Sequence, residues 1–357
     1  MLPDEEGFLQ PVIDTTKCVQ CGKCEAICPV LNPGQPRTPL ATYAAKAKDD
    51  ELRRMSSSGG VFSLLARQVI AKGGTVYGAA FEKGTHRVVH QAARNEEELD
   101  ALRGSKYVQS DMGDTFAAVK SELEAGKEVL FSGCPCQVAG LKNFLGKGWE
   151  NLLTVEVICH AVPSPLVWRK FLEAQELAVG KRIVRIIPRR NCNWRSFAVE
   201  IEFEADEQGV SVRRFPIWYS VFFKELCNRR GCYDCRMRGS RSGADIAIGD
   251  FWGIENAIPS FEDELGVSAV AVCSGKGISK FEKVLSELAL EKVSLRQMCR
   301  KNKAIFGVER ISKHRQGFLE ELIHRDFNAL AHKLTDPPKW FVFLRTMKRR
   351  MLGRPLE

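Results

Sequence analysis

The sequence lacks any run of about 18 consecutive apolar residues, the length a membrane-spanning helix needs, so a spanning segment is excluded. Its opening stretch, MLPDEEGFLQP, is acidic and has no apolar core, so a secretory leader is not expected. Repeats and low-complexity linkers are missing as well, and the composition excludes collagen-like, disordered and coiled-coil chains. No G-x-G-x-x-G follows the first strand-like segment, so nicotinamide-dinucleotide binding has no motif to rest on. What is present is ordinary for a globular protein, with 44% hydrophobic and 27% charged residues. A chain of 357 residues suits two or three compact units. The one excess is cysteine, at 13. Without an export signal a disulfide framework is not expected, and metal ligation or redox chemistry in a cytoplasmic setting is the reading that follows.

Net charge is +9, and residues 296–357 alone hold 15 Lys or Arg against 6 Asp or Glu, so this tail supplies the whole excess. A localised basic face suits nucleic acid, an acidic protein, an anionic lipid surface or an acidic coenzyme; a solvated helical surface is the plainer reading. Trp340–Arg354, WFVFLRTMKRRMLGR, adds apolar residues to that charge. Peripheral contact with a membrane or a partner is one reading of it, and a helix packed on the protein's own core is the other.

Along the chain, residues 1–36 are short on pattern and rich in Cys, Pro and Gly, and end at the breaker cluster NPGQPRTP. Residues 58–72 read as a helix after a Ser/Gly loop, followed by a strand, TVYGAAF. Residues 96–103 and 114–125 are helical in pattern, and EVLFSG and LLTVEVIC are apolar strands, each running into a cysteine. IVRIIP, FAVEIEFE and VSVRRFPI form a more antiparallel run. DIAIGDFWG and VSAVAVC continue the sheet, and residues 278–335 read as mostly helix. Strands alternating with helices, then an antiparallel run, give an α/β (α+β) fold with a mixed sheet and a helical C-terminal tail.

Cys18, Cys21, Cys24 and Cys28 are spaced C-x2-C-x2-C-x3-C-P, with Pro29 closing the run, the bacterial ferredoxin pattern for a [4Fe–4S] cluster. Zinc more usually shows separated C-x2-C knuckles. In two-cluster ferredoxins the fourth cysteine serves the neighbouring cluster, and two such motifs are needed; one is present. Asp4–Pro11, DEEGFLQP, resembles the strand that joins a first motif to a second. Two readings therefore stand: an upstream motif lost or supplied elsewhere, or one cluster held by all four local cysteines.

The remaining cysteines are dispersed. Cys134 and Cys136 follow one strand, Cys159 ends the next, and Cys227, Cys232 and Cys235 lie in CNRRGCYDC. Strand-end thiols and a C-x2-C loop can converge at one sheet edge and hold a second cluster. Buried small thiols are the plain alternative, adopted for Cys192, Cys273 and Cys299. Ser57-Ser58-Gly59-Gly60 at a helix start is by itself an N-cap.

Taken in order, CVQCGKCEAICPV, MSSSGGVFSLLA, LRGSKYVQS, FSGCPCQVAGLKNFL, VICHAVPSPLVW, RGCYDCRM and ADIAIGDFWG resemble the coenzyme F420 hydrogenase/dehydrogenase beta-subunit family, in its bacterial branch with a fused N-terminal 4Fe-4S ferredoxin domain. The resemblance runs across nearly the whole chain. It implies a cluster-binding segment at 1–38, a flavin-binding region at 39–118, a core with the second cluster at 119–290 and a basic helical tail at 291–357.

Carried over by motif, Cys136, Cys159, Cys232 and Cys235 are the implied ligands of the inner [4Fe–4S] cluster. Cys134 stands where relatives usually have another residue and is left out, and Cys227 falls outside the pattern. FAD is implied over Ser57, Ser58, Gly59 and Gly60, where glycines allow close approach and a helix start offers amides to a pyrophosphate. Ser105, Lys106 and Tyr107 would add a cation near phosphate or the reduced flavin ring; a helix-end turn is their plain reading.

His160 could hydrogen-bond the cluster or flavin, or relay a proton, and Asp250 orients the neighbouring loop or donates a proton. Asn191, Cys192 and Asn193 replace a family pattern and put substrate contact there in doubt.

The implied activity is an FAD- and [4Fe–4S]-dependent oxidoreductase. It would relay electrons between a ferredoxin or other redox protein and coenzyme F420 or another reducible small molecule. A non-catalytic electron-transfer subunit of a larger redox complex, binding flavin but without a substrate pocket, is the alternative. A zinc-stabilised nucleic-acid-binding protein is set aside, because the ferredoxin spacing and the motif order both oppose it.

Overall fold

The computed structural model describes residues 1–187, 189, 195, 197–206 and 209–336. In chain order its strands are β1 (Leu2–Pro3), β2 (Leu9–Gln10), β3 (Ala41–Ala47), β4 (Thr75–Phe81), β5 (Val88–Ala93), β6 (Val129–Gly133), β7 (Leu152–Val157), β8 (Ile183–Ile187), β9 (Val199–Asp206), β10 (Gly209–Phe215), β11 (Ile246–Asp250), β12 (Ser268–Val272) and β13 (Leu288–Lys292). Eight of them form one mixed sheet in the order β13-β3-β12-β11-β7-β6-β4-β5. At its centre β4, β6, β7 and β11 run parallel, while β5, β12 and β13 run against them. The parallel strands read as continuous apolar runs because both faces are covered.

One face carries the helices Val61–Ile70, Glu96–Leu102 and Gly275–Glu282, whose buried residues meet Ala45, Leu130, Val155, Ile246 and Val270. On the other face the helices Thr115–Glu124 and Pro135–Leu145 cover β6, and the turn at Ile254 with the helix Leu295–Cys299 covers β11 and β12. A second, three-stranded antiparallel sheet, β10-β9-β8, packs through Ile201 and Phe203 on an aromatic core with Trp168, Phe171, Trp218, Phe318 and Phe327. The α/β reading holds, with the antiparallel run at β8–β10 forming its own sheet.

Two elements depart from the sequence pattern. Within 278–335, β13 pairs antiparallel with β3, and 300–314 holds a single short 3-10 turn, Lys303–Ile305. The run ELALEKV carries a helical period, but the backbone groups along the edge of β3 need partners, and pairing outweighs the local preference. The other is β3 itself, ATYAAKA, whose alanines are poor strand formers. The strand is crossed closely by the loop before Val61: a Cβ added at Gly59 would lie 2.2 Å from the Ala45 carbonyl oxygen, so glycine is required at 59.

The Trp340–Arg354 stretch, with Asn191, Cys192 and Asn193, lies outside the described residues. Among the described residues no helix is long and apolar enough to cross a membrane.

Candidate functional site

The parallel strands β6, β7 and β11 end side by side, and each carries a residue of interest just past or at its carboxyl end: Cys134 and Cys136, Cys159 and His160, and Asp250. This is the edge at which α/β sheets commonly hold ligands. After β6 the chain turns straight into the helix Pro135–Leu145. Pro135 occupies its first turn, where no N–H is needed, and the Cys134 amide donates to Gln137 Oε1 at 2.8 Å. Gly249 is required for the close approach of β11 to the next chain segment, since a Cβ there would lie 2.8 Å from that of Ile158.

The structure brings Cys136, Cys159, Cys232 and Cys235 into mutual electrostatic range. Cys136 is exposed as a residue, yet protein packed around its thiol pushes it up to about 12, and the neighbouring Cys159, Cys232 and Cys235 add to that. Cys232 is pushed up to about 12 in the same way, by burial and then by Cys159. The C-x2-C loop reaches Cys159 because residues 227–232 are stitched to 162–164. Ser164 N–H donates to Cys227 O, Arg229 N–H to Val162 O, and Pro163 bridges Asn228.

Cys134, which the motif reading leaves out, lies in the same group. Its thiol is hydrogen-bonded to Cys159; that bond raises Cys134 and lowers Cys159. Among the described residues no three His, Cys, Asp or Glu side chains are spaced for a single metal ion. An all-thiol donor set drawn from Cys136, Cys159, Cys232 and Cys235 is the chemistry that an iron–sulfur cluster takes.

The N-terminal motif behaves differently. Cys18, Cys21 and Cys24 are exposed and Cys28 is half-buried, on a loop whose one short helix is Lys23–Ala26. That segment is tied to the core on either side of the inner cysteines. Asn143, on the helix that begins at Pro135, donates to Ile27 O at 2.9 Å. Arg229 donates to Gln10 Oε1 at 3.0 Å, and Arg315, buried, donates through Nη1 to Glu6 Oε1 at 2.9 Å.

His160 Nε2 lies 2.6 Å from Glu225 Oε1, and Asn228 donates to Glu225 Oε2 at 2.6 Å. Glu225 is buried at φ +58°, a left-handed conformation unusual for a residue with a Cβ. The imidazole packs edge-on against Phe222, 5.0 Å between centroids. Arg238 donates to the carbonyls of Cys159 and His160, the latter at 2.5 Å, and its charge favours the Cys159 thiolate.

The expected flavin loop is tied into the protein. Ser57 Oγ donates to Arg189 O at 2.7 Å and accepts from Ser105 N–H at 2.6 Å; Ser58 Oγ donates to Val267 O at 3.0 Å, and Gly59 N–H to Ser268 Oγ at 2.9 Å. Gly60, at φ +84°, is the N-cap of the helix Val61–Ile70. Lys106 Nζ donates to Ala101 O and Arg103 O at 2.8 and 2.7 Å, closing the carboxyl end of the helix Glu96–Leu102. Tyr107 packs edge-on against Tyr219 and Phe222, and burial pushes its hydroxyl upward.

Asp250 is engaged by Arg189, Nη1 to Oδ2 at 2.8 Å, in a pair with 2% and 10% of the two side chains exposed. Burial works against the Arg189 charge, but Asp250 more than offsets it, so the guanidinium is held charged over the Phe197 ring at 4.5 Å. A cleft beside it is lined by Ser105, Tyr107, Arg189, Trp218 and Tyr219.

Sequence reasoning missed Cys134, Arg189, Glu225 and Arg238. Only Arg238 had a local signal, the arginine-rich setting of the C-x2-C pair in RRGCYDCRMRGSR. The others act through partners that lie far away along the chain. Cys227 and Cys273 are buried, both with thiols raised by burial, and Cys299 is half-buried.

The family description "Coenzyme F420 hydrogenase/dehydrogenase, beta subunit N-term" matches residues 42–116, its C-terminus counterpart matches 126–297, and a 4Fe-4S binding domain matches 10–33. None of the curated proteins matches the chain. Among solved structures, the F420-reducing [NiFe] hydrogenase complex from Methanosarcina barkeri, in a xenon-derivatized form, is similar at 16% identity and a TM-score of 0.49, over 80% of this chain and 93% of that one. With its two halves matched in order behind a 4Fe-4S binding domain, the chain belongs to the coenzyme F420 hydrogenase/dehydrogenase beta-subunit family.

Proposed function

We propose that this protein is an iron–sulfur flavoprotein oxidoreductase that relays electrons between [4Fe–4S] clusters and FAD, to or from coenzyme F420 or another reducible organic substrate. The observation that carries this reading is the convergence of Cys136, Cys159, Cys232 and Cys235 at the carboxyl edge of the parallel strands, with the ferredoxin-type loop tied to the same region. Clusters supply one-electron transfer, and FAD supplies the conversion between one- and two-electron chemistry.

In this reading Cys18, Cys21, Cys24 and Cys28 hold the outer cluster, and their exposure makes that loop the contact point for a ferredoxin or another redox protein. Cys136, Cys159, Cys232 and Cys235 hold the inner one, and Arg238 stabilises the thiolate charge at Cys159. His160, oriented by Glu225, is the candidate proton relay of the site. Ser57, Ser58, Gly59, Gly60, Ser105, Lys106 and Tyr107 border the flavin. Asp250 works through Arg189, which it keeps charged beside that border.

A specific observation favours a second reading, an electron-transfer subunit that holds no flavin: the polar side chains of the Ser57–Gly60 loop already have protein partners. Iron, acid-labile sulfide, zinc and flavin measured on protein purified without oxygen separate these. About eight irons and one FAD per chain support the flavoenzyme. Iron without flavin supports the second reading, and zinc without flavin overturns both.

A further inference from the structure

Beside Cys159 lies a cavity bordered by Met237, Arg238, Met298, Phe306 and Glu156, the last a residue that the relay described above does not use. Glu156 is 6% exposed. Its Oε2 accepts a hydrogen bond from Ser242 Oγ, and among the described residues no cation forms an ion pair with it. Buried carboxylates without a paired cation are rare because the charged form loses its hydration.

We propose that Glu156 is the proton-accepting partner of the inner redox centre, taking up one proton when that centre gains one electron. The inference rests on the proposed function, since it takes Cys159 as a ligand of that centre. The step balances: one electron arrives from an external one-electron donor, one proton arrives from water through the cavity, and an O–H bond forms at Oε1, the oxygen not held by Ser242. No other bond changes.

The placement gives the coupling its sign. The Glu156 charge is felt at Cys159, where it opposes thiolate formation. Negative charge added at the cluster and negative charge on Glu156 therefore disfavour each other, and linkage makes the effect reciprocal. The other titratable or charged groups facing Glu156 are Lys142 from the helix Pro135–Leu145, Arg238 across the cavity and Cys273 past the end of β12. Burial lifts the carboxyl to about 7, against the pull of Ser242 and Lys142, which sets the exchange within the neutral range.

The test is a redox titration of the full chain, holding its clusters, with dithionite at several pH values, followed by the electron paramagnetic resonance signal of the inner cluster. The midpoint potential of the wild type is expected to fall as pH rises through about 6 to 8. Glu156→Gln is expected to give a potential that does not vary over that range and matches the wild type at its acid end. Ser242→Ala, which removes a bond favouring the charged form, is expected to move the sloping region to higher pH. An assembled inner cluster whose potential is flat in the wild type, or equally sloped in Glu156→Gln, overturns this inference and leaves the proposed function standing. Failure of any inner cluster to assemble overturns both.

Discussion

The two cysteine groups are built by opposite means. Cys18 to Cys28 fit within eleven residues, so their grouping is set by spacing along one short segment. The inner thiols span Cys134 to Cys235 and meet because β6 and β7 are adjacent parallel strands and because residues 227–232 bond to 162–164. The first group is exposed but for the half-buried Cys28 and is flanked by the exposed apolar residues Val12, Ile13, Val19, Val30 and Leu31; the second is half-buried but for the exposed Cys136, and has Arg238, Glu225 and Glu156 near it at a sheet edge. A site made by spacing can sit on the surface with few supports, whereas one made by a sheet carries a network of buried polar groups.

The strongest test of that contrast is to remove each group separately. Cys136→Ser with Cys235→Ser is expected to lose about four irons per chain and to leave the N-terminal cluster. Cys18→Ser with Cys21→Ser should also lose about four irons, but with a change in folding stability below about 0.5 kcal/mol, as for exposed positions in general. Cys134→Ser sharpens the comparison: full iron content places Cys134 outside the ligand set, and loss of iron equal to that of Cys136→Ser places it inside.

The anchorage of the N-terminal segment comes next. Glu6→Ala leaves the buried Arg315 guanidinium with Asn228 O but without its carboxylate, and is expected to cost about 3 kcal/mol in chemical denaturation. Asn143→Ala removes a bond worth about 1 kcal/mol and should show as faster proteolysis within 12–33 at little cost to the rest of the fold.

The smallest effect concerns pH on the sheet side. Glu96 is held down at about 2 by Arg67, helped by Arg103, against burial. A depressed carboxyl stabilises the fold above its ordinary value of 4.5, and that contribution is lost as pH falls toward about 2. Because Glu96 is half exposed, the loss should stay below about 1 kcal/mol. A Glu96→Gln variant should lack this acid-side slope in thermal unfolding.

Much of the scaffold was legible in the sequence where a single period governed a segment. VLFSG, LLTVEV and SAVAV are apolar runs that become central strands, and Val61–Ile70 follows its loop as a helix. Legibility failed where a neighbour overruled the local pattern. Leu288–Lys292 has a helical period and becomes a strand because it closes an open sheet edge, and Ala41–Ala47 is held as a strand by pairing on both sides. The same division runs through the site. The Cys18–Cys28 spacing is readable as it stands, while Lys106, read as a cation for a flavin, closes its own helix, and Asp250, read as a loop-orienting residue or proton donor, is bound to Arg189.

Spacing alone determined that this chain carries a ferredoxin-type cysteine motif, because its ligands lie within a few bonds' reach of each other and need little else to meet. The order of its motifs along the chain likewise determined the family. Only the tertiary structure decided that Cys134 joins Cys159, that Glu225 orients His160 and that Glu156 lies buried near them. Burial and contact between segments far apart in the chain are properties of the packed sheet, and they leave no mark in local sequence.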